Sequence, residues 1–181
     1  SSDLGGRLSK FANLKLIHVT DGAPQDLVRA KQLGFSTPTE YSNTRFRELQ
    51  NALSILGVTP ISHRCYRYKD GDVSSLLLDL VDLLESELET ASAVLSHAYE
   101  GGHPDHDGCA FAIQAACNRL SRRGRKAPAR LEFLGYHSLR GRFYSAAFWP
   151  EPEHAALTIR LSRQERLRKM KAMRAFHSQA W

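Results

Sequence analysis

Three features of the 181-residue sequence predict an α/β fold, Rossmann-like and layered, with a mostly parallel sheet and helices on both faces. Short runs rich in β-branched and apolar residues alternate with longer segments whose apolar residues recur every three or four positions, the pattern of a parallel sheet. Asp-Gly turn signals close two of the short runs, at Asp21-Gly22 and Asp70-Gly71. A glycine- and histidine-rich stretch follows a third, where such folds place their ligand sites.

In chain order, a short helical opening leads into residues 14–20, a strand stopped by Asp21-Gly22-Ala23-Pro24. Residues 38–56 carry Phe46, Leu49, Leu53 and Leu56 at helical spacing, and Gly57 follows as a stop. Residues 61–68 read as a strand and 74–90 as a helix with a broad apolar face. The short run 93–96 leads into the loop 97–108, after which 110–120 is helical. Residues 131–136, 142–148 and 155–161 read as strands without intervening helices, an extension of the sheet. A basic helix from Ser162 closes the chain, with Leu167, Met170, Met173 and Phe176 expected to pack on the body of the domain. No repeat, low-complexity tract or linker divides the chain, so residues 1–181 are read as one domain.

Hydrophobic residues make up 42% and charged residues 24%, which excludes a disordered or fibrous chain. A membrane span needs about 20 consecutive apolar residues, and the greasiest stretch is broken by Asp79 and Asp82. Cys65, Cys109 and Cys117 form no CxxC pair and no disulfide framework, so a cytoplasmic location is expected. The net charge of +6 is spread along the chain without aromatic-basic motifs, which argues against nucleic acid as a partner. Arg122-Arg123-Gly124-Arg125-Lys126 reads as a solvated loop after a helix, with a phosphate contact as its sharper alternative. The sequence leaves room for a homo-oligomer.

Chemistry concentrates in His97-Ala98-Tyr99-Glu100-Gly101-Gly102-His103-Pro104-Asp105-His106-Asp107. Seven of these eleven side chains can ligate a metal, move a proton or make a strong hydrogen bond, and the glycines admit close approach to the backbone. His103 and His106 stand three apart where a helix begins, so both can face one cavity, and Pro104 suits the first helical position. Imidazole is a preferred zinc ligand, and a carboxylate such as Asp105 or Asp107 can fix its tautomer. Tyr99 is a candidate substrate contact or a packing corner, Gly102 a point of close substrate approach, and His97 loop scaffolding or part of the cleft lining.

The run from Ala98 to Asp107 resembles the second signature of the LmbE-like, or PIG-L, zinc-dependent de-N-acetylases. Gly5-Gly6, Val19-Thr20-Asp21-Gly22, and Arg45-Phe46-Arg47-Glu48-Leu49 with Leu56-Gly57 agree with the same order, so the resemblance covers nearly the whole chain. It implies hydrolysis of the acetamide of an N-acetylated amino sugar or glycoconjugate, with one zinc ion. It also implies that His106 is a zinc ligand, that His103 polarises or protonates the substrate, and that Asp105 orients the pair. Arg45 matches an arginine that reaches the site from the helix, with Glu48 its companion.

One departure stands out: the family's first motif, HPDD, occurs nowhere in these residues. Four residues commonly separate that motif from Gly-Gly in the family, and four precede Gly5-Gly6 here. The expectation is a domain incomplete at both ends, lacking the first strand, two zinc ligands, the aspartate that serves as general base and a C-terminal closing segment. By itself the chain should then bind zinc weakly and turn over little. The alternative is a non-catalytic carbohydrate-binding homologue that has lost its metal site.

Overall fold

The computed structural model describes residues 3–24, 26, 28–60, 62–139, 142–145 and 158–179. A 3₁₀ stretch, Asp3–Lys10, precedes strand β1 (Lys15–Thr20), the short helix α1 (Val28–Gln32), helix α2 (Pro38–Leu56) and strand β2 (Ser62–Tyr68). A 3₁₀ turn, Val73–Leu76, runs into α3 (Leu77–Leu88), followed by β3 (Ala93–His97), α4 (Pro104–Arg122), β4 (Ala129–Phe133), β5 (Tyr136–Leu139) and β6 (Arg142–Ser145). Helix α5 (Arg163–Arg174) and a 3₁₀ turn, His177–Gln179, close the order. The mixed α/β class expected from the sequence is the class observed.

The chain divides into two compact units, one holding residues 3–70 and 155–181, the other residues 71–154 together with Ser1 and Ser2. In the first unit β1 and β2 pair in parallel, Lys15 opposite Ser62 through His18 opposite Cys65. Helix α2 is bounded as its sequence dictates. The Thr37 hydroxyl accepts from the Glu40 N–H at 3.1 Å, Pro38 takes the first turn, and Gly57 ends the helix at φ 67°. Tyr41 from α2 is buried with Ala23 and Ala30 under Phe35.

The expected apolar stripe of α5 is not its packed face. Leu167, Met170 and Met173 remain half-exposed, whereas Ala172 and Ala175 lie buried against Ala52, with Ile55, Leu56 and Phe176 around them. Alanines let two helix backbones approach closely, and the longer side chains do not. Ser162 and Glu165 form a capping box at the start of α5. Glu165 also accepts from Lys10 at 2.9 Å and pairs with Arg7 at 3.3 Å. Its carboxyl is lowered to about 2, first by the Ser162 backbone N–H and then by Lys10.

In the second unit β3 and β4 pair in parallel, Ala93 opposite Ala129 through His97 opposite Phe133. The stretch expected as one strand over 131–136 is interrupted at Leu134-Gly135, and its first part continues the parallel pattern. Among the described residues only β5 and β6 are antiparallel, as a hairpin with Tyr136 opposite Ser145 and Ser138 opposite Phe143. Residues 158–161 contain no strand, and 146–148 and 155–157 of the expected strands lie outside the described residues. Leu80, Val81, Leu84 and Leu88 of α3 and Ala112, Ile113, Ala116 and Leu120 of α4 are buried. Gly108 is needed where α4 meets the turn before α3, since a Cβ there would stand 2.7 Å from Val73 Cγ1. The run 122–126 is exposed, as expected, and within it Arg123 pairs with Glu85 of α3 and Arg125 with Glu89 at the end of that helix.

Candidate functional site

The second unit assembles the histidine-rich stretch around the start of α4. The helix begins at Pro104, six residues before its apolar periodicity does, because capping at 103 and the acidic residues of the first turn carry it back. His103 is the N-cap, at φ −138° and ψ 128°, and its Nδ1 accepts the Asp105 backbone N–H at 3.2 Å. A ring that accepts at Nδ1 carries its proton on Nε2 when neutral. The cap thus fixes one tautomer and leaves a donor on the far side of the ring.

Three carboxylates hold the surrounding backbone. Asp107 Oδ1 accepts from the N–H groups of Glu100 and Gly101 at 2.8 and 3.1 Å, folding the loop back onto the helix, and Gly101 makes that turn at φ 68°. Asp105 is buried and accepts from Gly71 N–H at 2.7 Å and Val73 N–H at 3.2 Å. It also keeps a carboxylate oxygen within 4.8 Å of a His103 ring nitrogen. Glu100, buried as well, accepts from the Gly135 N–H at 2.9 Å. Gly102 stands where a Cβ would lie 1.7 Å from the Tyr136 carbonyl oxygen, so its contact is with the start of β5.

His106, in the first turn of α4, is held from several sides. The His97 ring stacks on it at 3.8 Å and 7°, the His103 ring lies 4.9 Å away, and Tyr136 meets it edge-on at 6.0 Å. His97, expected as loop scaffolding, is the last residue of β3 and sits between His106 and Phe133. Its pKa is lowered to about 4, by burial first and then by His106 and His103. Parallel stacked rings do not aim their nitrogen lone pairs at a common point, so His97 fits a role in orienting His106 rather than in sharing an ion with it. His106 fits a zinc ligand by donor chemistry and by the confinement of its ring. Cys109, one turn further along, has its thiol pushed up to about 12 by burial and by Asp105, which makes it a poor nucleophile or ligand.

Arg45 belongs to the first unit, where its Nη1 donates to the Gly22 carbonyl at 2.9 Å. Asp21 accepts from the Ala23 N–H at 3.0 Å, the backbone role expected for Asp before Gly. Glu48 holds the C-terminal 3₁₀ turn, accepting from Ser178 N–H and Oγ at 2.8 and 2.6 Å. Tyr99 is exposed on the loop. Sequence reasoning counted Glu100 without giving it a role of its own and passed over Gly135, Tyr136 and Phe143, whose signal was no stronger than an isolated glycine and a period-two aromatic pattern. It also passed over His18 and His63, which meet across β1 and β2 with Nδ1 and Nε2 3.0 Å apart.

Residues 4–117 match the PIG-L family, described as GlcNAc-PI de-N-acetylase. No curated protein sequence matches the chain. Among solved structures, a deacetylase–bog complex from the teicoplanin biosynthesis pathway is similar over 97% of this chain and 78% of its own, at 19% identity and a TM-score of 0.72. The zinc-inhibited form of teicoplanin deacetylase Orf2 gives 97% and 78%, 18% identity and 0.71. The N,N'-diacetylchitobiose deacetylase from Pyrococcus horikoshii, complexed with its inhibitor MPG, gives 99% and 66%, 18% identity and 0.59. At these identities the likeness is one of fold.

Proposed function

Because the chain belongs to the PIG-L family of GlcNAc-PI de-N-acetylases, we propose that it works in hydrolysing the acetamide of an N-acetylated amino sugar or glycoconjugate, with zinc as cofactor. The observation that carries this reading is the helix cap: His103 spends Nδ1 on the Asp105 N–H and keeps an Nε2 donor beside His106. Zinc bound through His106 would acidify a water and polarise the amide carbonyl. The Nε2–H of His103 is placed to donate a hydrogen bond to the amide oxygen as charge develops there. Asp105, anchored on two backbone N–H groups, holds its carboxylate beside the His103 ring and orients the pair. Tyr99, exposed on the loop, is the residue proposed to meet substrate.

Catalytic zinc commonly has three protein ligands, and His106 is the one assigned here. Residues 1–181 alone are therefore expected to bind zinc weakly and to release little acetate. The same chain carrying an HPDD-containing N-terminal segment should gain both properties. Zinc content and acetate release from N-acetylglucosaminides, measured on that pair and on His106→Ala, test the reading. Loss of both with His106→Ala supports it, and acetate release that survives the substitution overturns it.

A further inference from the structure

We infer that Glu100 is a positioning residue for the proposed zinc ligand: its carboxylate accepts the Nδ1–H of His106 and holds the ring in the tautomer whose Nε2 lone pair is free for the ion. The inference rests on the zinc-deacetylase reading and deepens it, since it concerns how this chain prepares His106 before any metal binds. Glu100 stands in a loop and yet is only 5% exposed, so its carboxylate is turned into the protein. Its place is fixed from both ends. Asp107 Oδ1 accepts its N–H at 2.8 Å, and its two oxygens share the Gly135 N–H at 2.9 and 3.1 Å. A carboxylate has about four acceptor sites, so that bond leaves capacity for a second donor.

Gly135 points to the donor. A Cβ built there would stand 3.1 Å from Glu100 Oε2 and 3.6 Å from His106 Nδ1. The carboxylate and the Nδ1 edge of the ring therefore look onto the same small space, which glycine leaves open. The stacking of His97 on His106, at 3.8 Å and 7°, sets the plane of the ring but not which nitrogen carries the proton. A charged acceptor beside Nδ1 decides that. The bond also suits Glu100, because a buried carboxylate is costly without charge-assisted hydrogen bonds and an imidazole N–H supplies one. Glutamine at this position would keep the anchor and lose the effect. Its single oxygen can accept from Gly135, but its amide nitrogen then turns N–H groups toward the ring, and Nδ1 must accept. That moves the proton to Nε2, the atom that zinc needs.

The test begins with residues 1–181 free of metal, with isotope-labelled histidine, at about pH 8, where an ordinary histidine is neutral. Nitrogen NMR shifts report the tautomer, and His106→Ala assigns the signals. His106 should show the Nδ1–H form, and Glu100→Gln should convert it to the Nε2–H form, with circular dichroism confirming the fold. Gly135→Ala is a second variant that leaves both side chains in place and sets a methyl between them, and it should shift the tautomer in the same direction. In the chain joined to the HPDD-containing segment, Glu100→Gln should weaken zinc binding by about 10–100-fold in a chelator competition. An Nε2–H His106 in the unaltered chain, an Nδ1–H form that survives both substitutions, or a zinc affinity untouched by Glu100→Gln overturns the positioning role, whether or not acetate is released. A tautomer that responds as expected, in a chain that holds no zinc and releases no acetate once the segment is attached, keeps the Glu100–His106 pair and overturns the deacetylase reading instead.

Discussion

An imidazole that caps a helix through Nδ1 couples stability to chemistry in one residue, and the two can be separated. Asparagine is a good N-cap and has no proton to give at the Nε2 position. His103→Asn should therefore leave the melting temperature nearly unchanged, while acetate release falls by about 10²–10³-fold, the usual worth of one oxyanion donor. A comparable loss of both would make His103 a structural cap alone. Gly102 presents the opposite case, a residue whose contribution is space. Gly102→Ala places a methyl on the Tyr136 carbonyl, 1.7 Å away before relaxation, and should cost about 1–3 kcal/mol, read from the urea midpoint at unchanged m. The Gly-Gly pair was legible in the sequence as a place of close approach. That the approaching group includes the protein's own strand β5 was not, because the partner lies 34 positions along the chain.

Among the elements, helices with caps were the most legible. Pro38 and Gly57 bound α2 in the sequence as they do in space, and the structure adds Thr37 as the cap. Helix α5 shows where periodicity stops being informative. Its long apolar side chains and its alanines lie on different arcs, and hydrophobicity alone favours the wrong one. Packing favours the alanines, since Ala172 and Ala175 let α5 approach Ala52 of α2. Ala172→Leu should thus destabilise by about 1–3 kcal/mol through overpacking. Met170→Ala, on the half-exposed arc, should change stability by less than about 0.5 kcal/mol. Thermal or urea unfolding of the two variants distinguishes the arcs, and equal losses would restore the stripe as the docking face. Glu48 carries the same lesson, a sequence candidate for the site whose carboxylate is committed to Ser178.

On the scale of the whole molecule, the pH dependence of stability is set by side chains that meet across strands and helices. His18 is lowered from 6.5 to about 4 by burial, by His63 and by Arg45. Its folded pKa lies below the unfolded one, so the unfolded chain takes up the proton first and stability falls as pH drops from about 6.5 toward 4. Its share is at most about 3 kcal/mol. Glu165, lowered from 4.5 to about 2, adds a second loss as pH falls through that lower range. Urea unfolding at a series of pH values should show the first decline, to which His97 also contributes, and His18→Leu should reduce it without abolishing it; an unchanged slope would sink the assignment. By itself the sequence determined the α/β class, the helix caps, the turns and the HxxH stretch that carries the family signature, because propensity, capping and turn chemistry act over a few residues. Tertiary structure alone decided that His97 stacks on His106, that Gly135 anchors Glu100, that Tyr136 faces His106 and that alanines seat α5. Those contacts join positions distant in the chain, and only strand register and backbone approach bring them within reach.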